Sequence, residues 1–186
     1  MGNIIKASVF IAVSLDGFIA RENGELDWLN GSENETIGSE INDDFGYKKF
    51  IDSIDTIVMG RNTFQSVLTF QNWPYGSKKV IVLSNTLEAI SDNLALTVEL
   101  RRGSAKELII RLQKEGAKHI YVDGGKTIQA FLNEGLIDEL IITRLPVIIG
   151  KGISLFGEFD KDIKLKHLET TSFLNGFVQS KYQVLH

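Results

Sequence analysis

The sequence predicts a single-domain α/β fold with a mixed, mostly parallel central sheet and a C-terminal antiparallel hairpin. Three observations predict it. Short β-branched runs alternate with segments of helical periodicity through the middle of the chain, the pattern of parallel strands joined by crossover helices. Asn175-Gly176 sits between two strand-like runs near the C-terminus, a strong hairpin signal. A length of 186 residues with 43% apolar content suffices for one well-buried core and falls short of two. No repeat, linker or low-complexity tract divides residues 1–186, so one domain is expected.

The elements follow in order. Residues 4–14 are apolar and β-branched and read as a buried strand, ended by Asp16-Gly17. Residues 21–39 are polar and contain glycine. They read as a long loop, and loops of that length in compact domains are usually functional. Residues 41–53 read as a helix, with Ile41, Phe45, Lys48 and Ile51 close together on a wheel. Residues 55–59 form a short buried strand that Gly60 ends, and residues 62–68 suit a short helix. Residues 79–84 are a further strand before the turn-prone Asn85, and residues 94–100 an outer one. Residues 104–115 read as a helix with Ser104 as N-cap and Glu107 at the third position, a capping box. Leu108 and Leu112 share its buried face and Gly116 stops it. Residues 119–122 read as a strand, Asp123-Gly124-Gly125 as a tight turn, and residues 127–133 as a helix ended at Gly135. Residues 140–149 are a central strand that Pro146 bends or delimits, and residues 165–174 and 177–184 make the closing hairpin.

Composition removes several function classes. The net charge is −4, without the basic excess of a general nucleic-acid binder. With no cysteine, disulfides and thiolate metal sites are excluded, and a cytoplasmic location is expected. His119, His167 and His186 lack the short spacing of a metal pair, so no metal site is expected. The apolar run from Ala7 to Leu15 is short, is broken by Asp16 and lacks a cleavage site, so it reads as a strand rather than a signal peptide. Nothing approaches the ~20 apolar residues of a membrane span.

Three strand ends carry groups suited to a phosphorylated ligand. Met59-Gly60-Arg61-Asn62-Thr63-Phe64 lies where a strand gives way to a helix. Free N–H groups at a helix start attract anions, and Gly60 admits a phosphate close to the backbone. Thr63 adds a hydroxyl, and Arg61 a planar fork for a phosphate monoester. An ordinary strand–helix junction with a surface arginine fits the same residues. Val122-Asp123-Gly124-Gly125-Lys126-Thr127 places adjacent glycines between a strand and a helix, exposing N–H groups toward a pyrophosphate, though a plain tight turn fits as well. It is neither G-x-G-x-x-G nor a P-loop. Ser84-Asn85 is a polar strand end that alone signifies a turn. Together the three converge on the carboxyl edge of the sheet, where open α/β sheets gather their ligands.

With these residues in place, the chain resembles the dihydrofolate reductase-like superfamily, and in particular the reductase domain of riboflavin biosynthesis. The most specific stretch spans residues 121–156: V-D-G-G-K-T, then F-L-N-E-G-L-I-D-E-L, then P-V-I-I-G-K-G-I-S-L-F. The resemblance implies a three-layer α-β-α fold, NADPH as cofactor, a small heterocyclic substrate and a possible homodimer through the outer strands. By similarity, Ala12 and Ile19 offer backbone contacts to the nicotinamide carboxamide. Gly60, Arg61, Asn62 and Thr63 hold phosphates, with Arg61 near the 2′-phosphate. Ser84 and Asn85 sit by the adenosine. Gly124, Gly125, Lys126 and Thr127 line the pyrophosphate, and the Gly124–Gly125 bond is expected to be cis.

Asp44 falls where folate enzymes place their substrate-binding acid and is the candidate catalytic group, with an exposed acid in the first helical turn as the alternative. Trp28 falls near a pocket tryptophan of those enzymes. Lys78 replaces an arginine that clamps the folate tail, Lys48 replaces an aromatic against the pteridine, and Ile128 replaces a tyrosine. These departures point away from folate. Lys48 and Lys78 would instead suit the phosphate of a ribosylamino-pyrimidine. Three functions therefore stand at this point: an NADPH-dependent ribosylamino-pyrimidine reductase, a dihydropterin-type reductase of the same fold, and a non-catalytic NADP(H)-binding module.

Overall fold

The computed structural model describes residues 5–30, 44–91 and 94–186. Along the chain run β1 (Lys6–Val13), β2 (Phe18–Ala20), a 3-10 turn (Asp27–Asn30), α1 (Tyr47–Asp52), β3 (Thr56–Gly60), α2 (Arg61–Val67), β4 (Lys79–Leu83) and β5 (Val98–Arg101). Then come α3 (Ala105–Lys114), β6 (His119–Asp123), α4 (Gly125–Asn133), β7 (Glu139–Arg144), β8 (Ile153–Ser154), β9 (Leu165–Ser172) and β10 (Val178–Val184). The main sheet has the order β5-β4-β3-β6-β1-β7-β10-β9. It is parallel from β5 to β7, and the β9–β10 hairpin closes it antiparallel.

The β-branched strands bury both faces, as parallel strands must. Ile57, Val58 and Met59 of β3 and Val80, Ile81 and Val82 of β4 have no exposed surface. Alternation sends neighbours to opposite layers. Val58, Ile81, Ile120 and Val122 pack with Leu108 and Leu112 of α3 and Ile128 and Phe131 of α4. Ile57, Met59, Val80 and Val82 pack with Phe50 of α1 and Phe64 and Val67 of α2. This is the expected three-layer α-β-α arrangement, with parallel strand ends gathered along one edge. Among the described residues no helix is long and apolar enough to cross a membrane.

Several local expectations are corrected. The helix expected over 41–53 begins at Tyr47, and residues 41–43 lie outside the described residues. Phe45 and Gly46 both adopt left-handed backbone, with φ of 52° and 80°, which a right-handed helix cannot include. Phe45 instead packs on the hairpin, with ring centroids 4.9 Å from Phe173 and 5.3 Å from Phe177. The strand expected over 94–100 narrows to β5, because Leu94 accepts turn bonds from Thr97 and Val98. The strand expected over 140–149 stops at Arg144, ahead of Pro146. The β2–β8 pair has no periodicity to announce it, being three and two residues long. At the hairpin, Phe173 and Phe177 close a loop of Leu174, Asn175 and Gly176, with Gly176 at φ 81° and Asn175 Oδ1 accepting the Phe177 N–H. Asn175 is not left-handed, so the turn is a three-residue loop rather than a two-residue type I′ turn.

At the amino edge of the sheet, Glu139 joins three strands. Lys6 Nζ of β1 stands 3.1 Å away and Lys181 Nζ of β10 stands 3.3 Å away. Burial acts to raise the Glu139 pKa, but the two ammonium groups outweigh it and hold the carboxyl below the usual range. Its contribution to stability is complete above the ordinary carboxylate value and is lost as pH falls through the lowered one. Glu139→Gln is therefore expected to lower stability at neutral pH and to flatten the acid limb in urea unfolding across pH. An unchanged acid limb would place that sensitivity elsewhere.

Candidate functional site

At the carboxyl edge, β3 turns into α2 at Gly60 and β6 turns into α4 at Gly124. The two helix openings cross. A Cβ on Gly60 would stand 2.8 Å from Oγ1 of Thr127, and one on Gly124 would run into Oγ1 of Thr63. A Cβ on Gly125 would stand 2.8 Å from Cδ1 of Ile19 and 3.4 Å from the Ser154 carbonyl. A Cβ at any of the three would press on a neighbouring side chain, and Gly124 also holds a left-handed φ of 89° that glycine alone adopts readily. Neither α2 nor α4 has a side-chain cap, whereas α3 carries the complete Ser104–Glu107 capping box. The first N–H groups of α2 and α4 are thus left without side-chain caps where the elements converge. The expected cis bond at Gly124–Gly125 is corrected: no peptide bond among the described residues is cis. Gly124, at φ 89° and ψ 135°, makes the turn with a trans peptide that only glycine readily follows.

The loop after β1 completes this edge. Ser14 Oγ donates to Asp16 Oδ1 at 2.6 Å and accepts the Phe18 N–H at 3.0 Å. Asp16 in turn accepts the Ile149 N–H at 3.3 Å and the Gly150 N–H at 2.8 Å. The Ser14 hydroxyl and these backbone N–H groups outweigh desolvation and lower the Asp16 pKa. So the S-L-D-G turn and the P-V-I-I-G-K-G loop clasp one another, and the β2–β8 pair carries Ile19 against Gly125. Ala12 lies near the end of β1, paired in register with Thr143.

At the end of β4, Ser84 Oγ accepts the N–H groups of Thr86 and Leu87 at 3.2 and 3.1 Å. Asn85 Oδ1 accepts the Gly103 N–H at 3.1 Å. Arg61 reaches across from α2 to Thr86 Oγ1 at 3.3 Å. Arg102, not singled out in the sequence, donates to the carbonyls of Asn85 and Leu87 at 2.5 and 3.1 Å. The structure thus brings Arg61, Ser84 and Asn85 to one loop, with Arg102 bracing it. Asn62 and Lys126 are exposed beside the crossing.

The expected substrate residues are more dispersed. Asp44 is exposed, and its carboxylate accepts the N–H groups of Gly46 and Lys48 at 3.0 and 2.7 Å, anchoring the start of α1. Lys48 pairs with Asp52 at 3.0 Å on the outer face of α1. Lys78 Nζ donates to the Ile54 carbonyl at 2.7 Å, before the start of β3. Trp28 is buried, and its indole N–H has no hydrogen-bond partner among the described residues.

A group that sequence reasoning passed over lies between these regions. Asp123, the last residue of β6, accepts the Gly124 N–H at 2.8 Å and the Tyr75 hydroxyl at 3.3 Å. The Tyr121 hydroxyl, which donates to the Phe10 carbonyl at 2.9 Å, also lies against it. Burial raises the Asp123 pKa, against the lowering effect of these bonds. Burial first, and then the Asp123 charge, pushes Tyr47 up to about 12 and moves Tyr75 and Tyr121 well above the usual tyrosine value. An aromatic wall adjoins the cluster: Phe10 lies 5.5 Å from Tyr47 and 5.0 Å from Phe50, Phe50 lies 5.2 Å from Tyr121, and Trp73 lies 5.3 Å from Tyr75. The available signal was an acid closing an otherwise apolar strand directly ahead of two glycines.

Residues 6–179 match the family model of the RibD C-terminal domain. The chain belongs to that family. It is 35% identical over 170 residues to the uncharacterized protein YwjB of Bacillus subtilis strain 168, covering 90% of this chain and 92% of that one. A solved structure from Shewanella sp. PV-4, which carries a provisional riboflavin-biosynthesis name, is 39% identical with a TM-score of 0.89, covering 98% of this chain and 100% of that one. The dihydrofolate reductase of Enterococcus faecalis has the same fold, with a TM-score of 0.69 at 18% identity, covering 99% of this chain and 98% of that one. This RibD C-terminal domain thus has the dihydrofolate reductase-like fold, as its V-D-G-G-K-T and P-V-I-I-G-K-G segments led one to expect.

Proposed function

We propose that this chain is an NADPH-dependent reductase of a small heterocycle. The crossing of the α2 and α4 openings over Gly60, Gly124 and Gly125 carries that reading. A Cβ would fill each of these positions, and uncapped helix starts meet there, so the residues fit a bound pyrophosphate. Gly60, Asn62, Thr63, Gly124, Gly125, Lys126 and Thr127 would hold the phosphates. Ser84 and Asn85 would lie by the adenosine, with Arg61 at the 2′-phosphate. Backbone groups of Ala12 and Ile19 would meet the carboxamide. The bound dinucleotide supplies hydride, and the protein supplies orientation and electrostatics. The relative from Enterococcus faecalis, solved with NADP(H), supports the cofactor.

Arg61→Ala is expected to weaken NADPH binding by about 10–100-fold, the usual range for a charged hydrogen bond, and to leave NADH nearly unaffected. Isothermal titration of both cofactors checks it, and equal losses would remove Arg61 from the 2′-phosphate.

For the substrate we propose a phosphoribosylamino-pyrimidine, opened at the sugar to a ribitylamino chain. The RibD family match and the riboflavin name of the Shewanella protein support this. The engagement of Lys48 with Asp52 and of Lys78 with Ile54, beside an aromatic wall, favours a second reading: a planar dihydropterin without a phosphate. Purified protein with NADPH and each compound decides between them by loss of NADPH absorbance and by product analysis. Turnover of the pyrimidine to a ribitylamino product supports the first, and turnover of the pterin alone supports the second. Tight NADPH binding without either reaction would mark a non-catalytic module.

A further inference from the structure

Alternation along the strands sets a row of small and polar side chains on the sheet face that carries α1. Phe10 of β1 and Ile141 of β7 belong to the core layer that α1 and α2 cover. Ala12 and Thr143, two residues on, therefore face the same side. Ala12 pairs in register with Thr143, and Thr143 with Gln179 of β10, so the three form a row across adjacent strands. β1 is an interior strand of the sheet, yet Phe10 and Ala12 both keep partial exposure. The sheet is thus incompletely covered at this point, and the gap adjoins the wall of Phe10, Tyr47 and Phe50. Gln179 borders the gap two strand spacings from Ala12, roughly 10 Å, which leaves room for a small ring system beside the expected carboxamide contact.

The Gln179 side chain is held in one orientation. Its Nε2 donates to the Phe45 carbonyl at 3.1 Å and to Thr143 Oγ1 at 2.9 Å. A backbone carbonyl only accepts, so the amide nitrogen and not the oxygen must face Phe45. Both anchors are themselves fixed: Thr143 is buried, and the Phe45 ring packs on Phe173 and Phe177 of the hairpin. The Gln179 Oε1 accepts no bond among the described residues, and the side chain is partly exposed. An acceptor aligned in advance costs little ordering to engage, and it discriminates against a ligand that offers it no donor. We infer that Gln179 is a recognition residue for the substrate, its Oε1 accepting an N–H of the heterocycle, from a ring lactam or an exocyclic amine. This assignment rests on the reductase reading and names a determinant of what that site accepts. Phe45 and Thr143 act through Gln179 as positioning residues. A heterocycle without an N–H at that edge leaves the amide oxygen unpaired and binds more weakly.

The test titrates wild type and Gln179→Leu by calorimetry, each saturated with NADP+. The ligands are the ribosylamino-pyrimidine phosphate, a dihydropterin, and analogues of each methylated at one nitrogen at a time. Wild type is expected to bind at least one parent compound, and methylation at one of its nitrogens to weaken binding by about 10-fold or more, the effect of leaving a polar group unpaired. Gln179→Leu is expected to weaken the parent by a similar factor and to bring parent and methylated analogue within about three-fold of each other. A role confined to bracing Phe45 would weaken both by the same factor and keep their ratio, and that result overturns the inference alone. A wild type that binds every analogue as tightly as the parent overturns it too. A wild type that takes up neither parent with NADP+ bound overturns the reductase reading and the inference together. If Gln179→Leu does not fold, wild type labelled with 13C-glutamine replaces it. The Gln179 Cδ resonance, assigned through its backbone, is expected to move on addition of the parent and to stay in place with the methylated analogue. Equal movement with both, or none with either, overturns the inference.

Discussion

Gly124→Ala is expected to abolish NADPH binding while leaving a folded but less stable protein. Two effects combine. Gly124 sits at φ 89°, where an L-residue is disfavoured by about 1–2 kcal/mol. The added Cβ would also meet Thr63, running into its Oγ1 and standing 3.1 Å from its own Cβ, and overpacking of that kind costs about 1–3 kcal/mol. Relief requires the opening of α4 to move away from α2, which dismantles the crossing that forms the cradle. Thermal unfolding and cofactor titration check both halves. Thr63→Ala removes the hydroxyl, so the double variant should recover part of the lost stability, with a coupling that single-site additivity does not give. The double variant should still bind NADPH poorly, because the backbone strain remains. An unchanged affinity in Gly124→Ala would place the dinucleotide elsewhere.

Phe131→Ala is expected to destabilise the domain by about 3–5 kcal/mol, the usual range for emptying an aromatic site in a core. Phe131 has no exposed surface and holds α4 against Val9, Ile120 and Leu140 of the sheet. At roughly 2–4 °C per kcal/mol, the melting temperature should fall by about 6–20 °C. The same helix presents Gly125 and Thr127 at its start, so its burial positions the cradle from behind. Saturating NADPH should therefore restore about 2.7 kcal/mol at a hundredfold excess over the dissociation constant, provided the native state alone binds it. Loss of stability without any rescue would show that α4 no longer returns to its place.

Much of the fold was legible because it depends on local pattern. The apolar runs at β1, β3, β4 and β6 are near-continuous, so burial on both faces follows without knowledge of their neighbours. Ser104 and Glu107 cap α3 within a single turn, and the structure shows the full box. The glycines at 60, 124 and 125 stood out because they lie where a strand gives way to a helix. What was not legible depended on partners far along the chain. The left-handed Phe45, which shortens α1, is held by Phe173 and Phe177 more than a hundred residues away. The fates of Lys48 and Lys78 depended on Asp52 and on a carbonyl of another segment.

By itself the sequence determined the three-layer α/β class, the hairpin at its end and the glycine-rich strand ends at its carboxyl edge. Periodicity, caps and glycines act over a few residues, and their chemistry is written in consecutive letters. The tertiary structure alone decided which of those ends meet. Packing of α2 and α4 on opposite faces of the sheet crosses Gly60 with Thr127 and Gly124 with Thr63. It also seats Tyr75, from a segment 48 residues before Asp123, against that acid. A carboxyl that reads in the sequence as a turn former becomes a half-buried acid among phenols, because desolvation is a property of the surroundings and not of the residue.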